Sequence, residues 1–145
     1  MDLALLTGLR RGDILKLTRD SITDAGLRVE TSKTDKPLLF SMSAELKAVL
    51  DRAAAIEPKV RRFIVCNLQG EGYTADGFST LWNRARSKAL KDKAIADALA
   101  FNDIRAKSAS DYDRAERASQ RLGHTSRETT ERFYLRTPRK VSPLR

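Results

Sequence analysis

Five polar side chains in this sequence stand in surroundings that are otherwise apolar or turn-forming. Arg10 lies in "TGLRRGD", directly after a glycine turn that lets backbone approach a ligand closely. Lys33 sits in "TSKTDK" at the tip of a hairpin, and Arg105 falls on the first turn of a helix opening at "FNDIR". His124, the one histidine, follows the glycine of "LGHTSRETTERFYLR", and Tyr134 comes ten residues later. Two guanidiniums, an ammonium, an imidazole and a phenol together suit phosphoryl transfer. Guanidiniums bind phosphate oxygens bidentately and stabilise the extra charge of the transition state. An ammonium can protonate a departing alkoxide, and an imidazole can hydrogen-bond a phosphate oxygen or move a proton. A phenolate can attack phosphorus and hold a strand covalently. A phenol ordinarily titrates at a pKa of about 10, so neighbouring cations help to stabilise its anion. Taken singly, each residue also has a plainer reading. Arg10 and Lys33 would be surface cations, Arg105 a partner for Asp103, Asp111 or Asp113, His124 structural, and Tyr134 a ring packed beside Phe133. The ordered set is what points to chemistry.

The elements that must position these groups follow from periodicity and turn chemistry. Residues 1–16 read as a helix ending near Thr7–Gly8, a tight turn, and a second helix from about Arg11. In "LRVETSKTDKPLLFS" Leu27, Val29 and Thr31 alternate, and apolar character resumes after "KTDKP"; Pro37 suits a strand start, and the stretch reads as a hairpin. Ser43 can cap a helix whose stripe is Leu46, Val49, Leu50, Ala53 and Ile56, ended by Pro58. "RFIVCN" reads as a short buried strand or extended segment, with Cys66 in the core, and "NLQGEGYTADG" as loop. Thr74 or Asp76 starts a basic helix through Lys91 with Phe78, Leu81, Trp82 and Ala85 on one face. Residues 94–101 are helix or loop. Asn102 or Asp103 caps a helix to about Tyr112, a further run covers 113–122, and a last helix begins near Ser126. The fold class expected is mainly α with a small β-hairpin or antiparallel sheet.

Composition narrows the partners. The chain has 145 residues, 41% hydrophobic and 32% charged, enough for one domain with a core. Its 28 Lys and Arg against 19 Asp and Glu leave a net charge of +9, which favours a polyanion. No strong amphipathic helix of Trp or Phe with Lys points to a membrane surface, and no apolar run approaches the ~20 residues that span a bilayer. No signal segment opens the chain, so a cytoplasmic location is expected. One cysteine and one histidine exclude a Cys/His zinc site within the chain. If the cations stabilise the transition state, no metal or cofactor is required.

In order, these motifs resemble the catalytic domain of the tyrosine recombinases, or phage-type integrases. "LALLTGLRRGDILKLTRDSI" is similar to the family's first box, which implies that Arg10 is catalytic and Asp13 supports it. "VETSKTDKPLLFSMS" is similar to the hairpin carrying the catalytic lysine and implies Lys33, with Lys36 as the alternative. "AFNDIRAKSASD" resembles the His-x-x-Arg box and implies Arg105, with Asn102 at its first position. "LGHTSRETTERFYLR" resembles the last box and implies His124 and the nucleophile Tyr134. The resemblance implies site-specific recombination of double-stranded DNA through a 3′-phosphotyrosyl link, by a tetramer assembled on DNA from protomers that are monomeric or weakly oligomeric when free. It implies a bacterial or phage-derived mobile element. It further implies that residues 1–145 form one catalytic domain without the family's N-terminal core-binding domain and first catalytic-domain helix. Residues 137–145 would be an extended basic tail.

Two departures bear on activity. Asn102 stands where the family has histidine; an amide can hydrogen-bond phosphate but cannot shuttle a proton near neutral pH. The family's tyrosine commonly follows the "LGH" histidine by nine residues, where this chain has Phe133, and Tyr134 lies at ten. Successive helical positions are about 100° apart, so the shift matters. Some members with a similar ending carry the nucleophile at this offset, which assigns Tyr134. The rival reading places Phe133 in the nucleophile position and makes the chain a DNA-binding module without turnover.

Overall fold

The structure, a computed structural model, describes residues 1–32, 37–56 and 62–111. Their elements are five helices and a three-stranded antiparallel sheet of order β1-β2-β3. Helix α1 (Asp2–Thr7) buries Leu3, Ala4 and Thr7. Gly8 ends it in the left-handed region at φ 63°, its N–H bonded to Ala4 O, a backbone turn that glycine takes without a Cβ penalty. Two residues later Arg10, in extended conformation, is the N-cap of α2 (Arg11–Lys16). The expected helix–turn–helix start is present, and its turn is what positions Arg10.

A 3₁₀ turn (Arg19–Ser21) leads into β1 (Ile22–Thr23), a two-residue strand that periodicity is too short to reveal. The expected hairpin is β2 (Gly26–Glu30) paired with β3 (Pro37–Phe40), in the register Leu27↔Phe40 and Val29↔Leu38. Leu27 and Val29 face the core while Arg28 and Glu30 face out, the period-two pattern of a sheet with one wet side. Pro37 opens the edge strand, where a missing N–H is tolerated. Residues 33–36, which include Lys33 and Lys36, lie outside the described residues.

Ser43 caps α3 (Ala44–Ala55) by accepting from Leu46 N–H at 3.2 Å. Leu46 and Leu50 are buried, and Val49 and Ala53 pack beside them. Ile56 departs from the expected stripe: it is extended at the C-cap and 61% exposed, because the helix stops one residue earlier. Helix α4 (Ala75–Lys91) starts from Thr74, whose Oγ1 accepts from Gly77 N–H. Its apolar face is narrower than expected: Phe78 and Trp82 are half-buried, whereas Leu81 and Ala85 are exposed. Residues 92–100 are non-helical, and α5 covers Phe101–Ser110.

"RFIVCN" forms no strand. Phe63 bridges Thr18 and Cys66 bridges Gly72 as isolated pairs, and only Ile64 of this stretch is buried. Cys66 is half-buried and not the core residue expected, since only Ile64 of this segment reaches the buried centre. The core joins Leu3, Leu9, Ile14, Leu17, Leu27, Val29, Leu46, Leu50, Ile64 and Ile104, so all three sheet-and-helix regions share one apolar centre. Helix α1 packs on both α3 and α5, which ties the two ends of the described chain together. No helix among the described residues is long and apolar enough to cross a membrane. The runs expected at 113–122, from Ser126, and at 137–145 lie outside the described residues.

Candidate functional site

Two sequence boxes far apart in the chain meet at the turn between α1 and α2. Arg105 is 4% exposed, and its Nη1 donates a hydrogen bond to the carbonyl oxygen of Gly8. That carbonyl belongs to the terminal turn of α1, where the last C=O groups lack helical partners. A guanidinium there satisfies an orphan acceptor and places a cation at the negative end of the helix. Arg10 follows Gly8 by two residues, so the anchor for one guanidinium is part of the turn that presents the other. Arg10 Nη1 is buried and has no hydrogen-bond partner among the described residues. Because a buried charged donor without an acceptor is costly, such an atom marks a place shaped for an anion.

Both arginines line a cleft of about 480 Å³ between the N-terminal end of α2, α4 and the start of α5. Arg11 and Arg86 also line it, and no carboxylate among the described residues does. Arg11 Nη1 donates to Ser79 Oγ at 2.7 Å, and Ser79 in turn donates to Ala75 O at 2.8 Å, so α2 is tied across the cleft to α4. The floor is aromatic. Phe101 meets Phe78 and Trp82 edge-on, with centroids 5.1 and 5.2 Å apart, an arrangement that aromatic quadrupoles favour. This packing fixes the first residue of α5, and with it Asn102 and Arg105.

Asn102 lines the same cleft with its side chain exposed. It does not cap α5, one of the two expectations, because the helix begins at Phe101 with Ala100 at the N-cap, two residues earlier than an Asn102 cap would set it. Asp103 does cap, from the third helical position, accepting from Ala100 N–H at 2.9 Å. Arg105 therefore lies at the start of the second turn and not on the first, which directs it inward beneath Gly8.

Asp13, 3% exposed, points away from this cleft and toward the end of β2. Its Oδ1 accepts from both Ser32 N–H, at 3.1 Å, and Ser32 Oγ, at 2.9 Å. Lys16 Nζ donates to the same hydroxyl at 3.0 Å. The supporting acid is thus bonded to the residue that immediately precedes Lys33 in the chain. Sequence reasoning placed Asp13 beside Arg10, but the bond to Ser32 requires the strand to be docked on α2. Lys33, His124, Phe133 and Tyr134 lie outside the described residues.

Sequence reading missed Arg11, Ser79 and Arg86. The signal available was the spacing of Ser79, Trp82, Asn83 and Arg86, which shares one helical face.

Comparison with known proteins places this arrangement. The sequence model described as the Phage integrase family matches residues 1–140. No curated protein sequence matches the chain. Among solved structures, a lambda integrase dimer bound to a COC′ core site superposes with a TM-score of 0.77 at 25% identity, covering 97% of this chain and 43% of that one. The lambda integrase catalytic core matches with a TM-score of 0.67 at 27% identity, over 85% of this chain and 79% of that one. The XerA recombinase shares the fold, with a TM-score of 0.72 at 20% identity over 94% of this chain and 50% of that one. The chain thus spans about half the length, or less, of the longer of these relatives. Its mixture of helices with a small antiparallel sheet is the fold of tyrosine recombinase catalytic domains.

Proposed function

The chain belongs to the Phage integrase family, and from that membership we propose that it is the DNA-cleaving and rejoining domain of a site-specific recombinase. The observation that carries the reading is the cleft itself: a buried Arg10 Nη1 with no hydrogen-bond partner among the described residues, in a pocket whose described lining holds four arginines and no carboxylate. Such a pocket suits a phosphodiester and the added charge of its transition state.

In this reading Arg10 and Arg105 grip the non-bridging oxygens of the scissile phosphate, with Asn102 and His124 donating further hydrogen bonds. The Tyr134 oxygen attacks phosphorus, a phosphotyrosyl bond forms at the 3′ end, and the bond from phosphorus to the 5′ oxygen breaks. Lys33 supplies the proton taken up by that oxygen. Rejoining reverses the step with a new 5′ hydroxyl, so bond energy is conserved and no external energy source is needed. Asp13, through Ser32, holds the end of β2 against α2, and so supports the start of the segment bearing Lys33. The partner is double-stranded DNA. A lambda integrase has been solved as a tetramer on a Holliday junction, which supports assembly of a similar kind for this chain on DNA. The domain reading has residues 1–145 acting as one catalytic unit beside a core-binding domain.

A second reading, DNA binding without turnover, rests on Asn102 and on Phe133 standing nine residues after His124. A nicked duplex, drawn from a pool selected for binding to the chain, separates the two. Cleavage beside the nick releases a short fragment and traps a covalent adduct visible on a denaturing gel. The recombinase reading expects an adduct that is lost in Tyr134→Phe and kept in Phe133→Leu. Binding without adduct, including when a core-binding domain is supplied, leaves the second reading.

A further inference from the structure

The cleft exceeds the needs of one phosphate. Arg10 and Arg105 suffice to grip a single phosphodiester, yet Arg11 and Arg86 line the same space, and about 480 Å³ is far more than the five atoms of a phosphate group occupy. On the α4 wall, Ser79, Asn83 and Arg86 follow one another at intervals of four and three residues, which places them on one helical face. From Ser79 to Arg86 that face runs ~10 Å at 1.5 Å per residue. A duplex rises by about 3.4 Å per phosphate of each strand along its axis, so a face aligned with that axis spans about three phosphate steps. Arg11 stands at the near end of this row, held by its 2.7 Å bond to Ser79, whose hydroxyl is itself oriented by the 2.8 Å bond to Ala75 O. An arginine oriented in advance loses less side-chain freedom when it takes an anion.

We infer that Arg11, Ser79, Asn83 and Arg86 form a phosphate track that leads away from the Arg10–Arg105 pair and holds the backbone flanking the scissile phosphate. The inference rests on the DNA-cleaving function proposed above and adds to it a set of positioning contacts outside the chemistry. Arg11 and Arg86 supply charge, and Ser79 and Asn83 supply neutral polar groups. Contacts of this kind carry no sequence information; they fix the register of the duplex and set the salt dependence of binding. The aromatic floor beneath the track, Phe78 and Trp82 on Phe101, keeps α4 at a constant distance from α5 and so keeps the track aligned with Arg105.

The test is a salt series. Binding of the 145-residue chain to a fluorescent, mixed-sequence duplex is followed by anisotropy, and log K is plotted against log salt concentration. Arg11→Ala and Arg86→Gln are each expected to reduce the slope by about one, the loss of one phosphate contact. Arg86→Lys restores the slope, because the charge remains. Ser79→Ala weakens binding at every salt concentration without changing the slope, since it removes an orienting hydroxyl and no charge. Lys47→Ala, on α3 and paired with Asp51 at 2.7 Å, keeps the original slope. Arg86 is half-buried and has no part in the apolar core, so Arg86→Gln is expected to melt like the parent, and its result stands if Arg11→Ala unfolds. Unchanged slopes in both arginine variants, with the parent binding normally, would overturn the track and leave the recombinase reading intact. An equal fall in Lys47→Ala would also overturn it, because binding would then be diffuse. Salt-insensitive binding by the parent would overturn both readings together.

Discussion

Arg105 Nη1 bonds the carbonyl oxygen of Gly8 across 97 positions of sequence, and Gly8 ends the helix whose following turn presents Arg10. The two guanidiniums are therefore not independent. Any movement of the turn that displaces Arg10 also strains the anchor of Arg105. A pair positioned through one shared backbone group can meet a phosphate with little rearrangement, which is the condition under which fixed charges lower a barrier most.

Removing that anchor tests it directly. Arg105→Ala leaves the buried Gly8 carbonyl without its donor and is expected to destabilise the fold by about 1–3 kcal/mol. In single-turnover assays on nicked DNA, adduct formation falls by roughly 10²-fold or more. A variant that melts like the parent would show that the bond positions Arg105 without stabilising the core.

The tie between Asp13 and Ser32 makes a separate prediction. Ser32→Ala removes the hydroxyl's bond to Asp13 together with the exposed bond it accepts from Lys16, and is expected to cost about 1 kcal/mol. Asp13→Ala leaves both the Ser32 N–H and hydroxyl without their acceptor and costs more, about 1–3 kcal/mol. Because the residues touch, their double variant is non-additive, with a coupling of about 0.5–3 kcal/mol in denaturant unfolding. Additive losses would mean that the two side chains act apart.

Gly26 and Gly12 offer a contrast. Gly26 has φ 134°, and a Cβ there would lie 2.1 Å from the Phe40 carbonyl oxygen, so Gly26→Ala must displace backbone in the β2–β3 ladder. It is expected to destabilise the fold by about 2–4 kcal/mol. Gly12 lies in α2, where a Cβ would meet no atom of the other described residues outside its own helix turn, and Gly12→Ala is expected to stabilise by about 0.4–1 kcal/mol. Thermal melts of the two variants should move in opposite directions.

Ser43 governs a small acid-sensitive contribution. The Glu45 carboxyl is held below its ordinary pKa, first by its own backbone N–H at the open start of α3 and then by the Ser43 side chain. A lowered folded-state pKa means that the stabilisation is present above the unfolded value and is lost as pH falls through the folded one. Ser43→Ala is expected to cost about 1 kcal/mol as a lost cap. It also moves the Glu45 titration, followed by NMR, back up toward the usual carboxylate range. A Glu45 titration unchanged in Ser43→Ala would assign the whole shift to the backbone.

How much was legible in the residues alone differs by element. The turn at Gly8, the cap at Ser43 and the alternation of Leu27 and Val29 are local signals, written within a few positions, and each element formed where its signal lay. The motif order "TGLRRGD" to "FNDIR" was equally readable, and so was the family. The start of α5 was misplaced by the strong capping types Asn102 and Asp103, because Asp103 caps backward from inside the helix. Ile56 and Leu81 were assigned to an apolar stripe on character alone, and their exposure depends on where a helix stops or which face finds a neighbour; Cys66, assigned to the core, is only half-buried. What only the tertiary structure decided is contact between distant segments: Arg105 on Gly8, Arg11 on Ser79, and Asp13 on Ser32. Periodicity reports which face of an element is apolar, and it is silent about which polar atom across the fold will meet another. Those meetings are set by tertiary packing such as that of α1 against α5 and α2, and they are what turn a row of cations into a cleft.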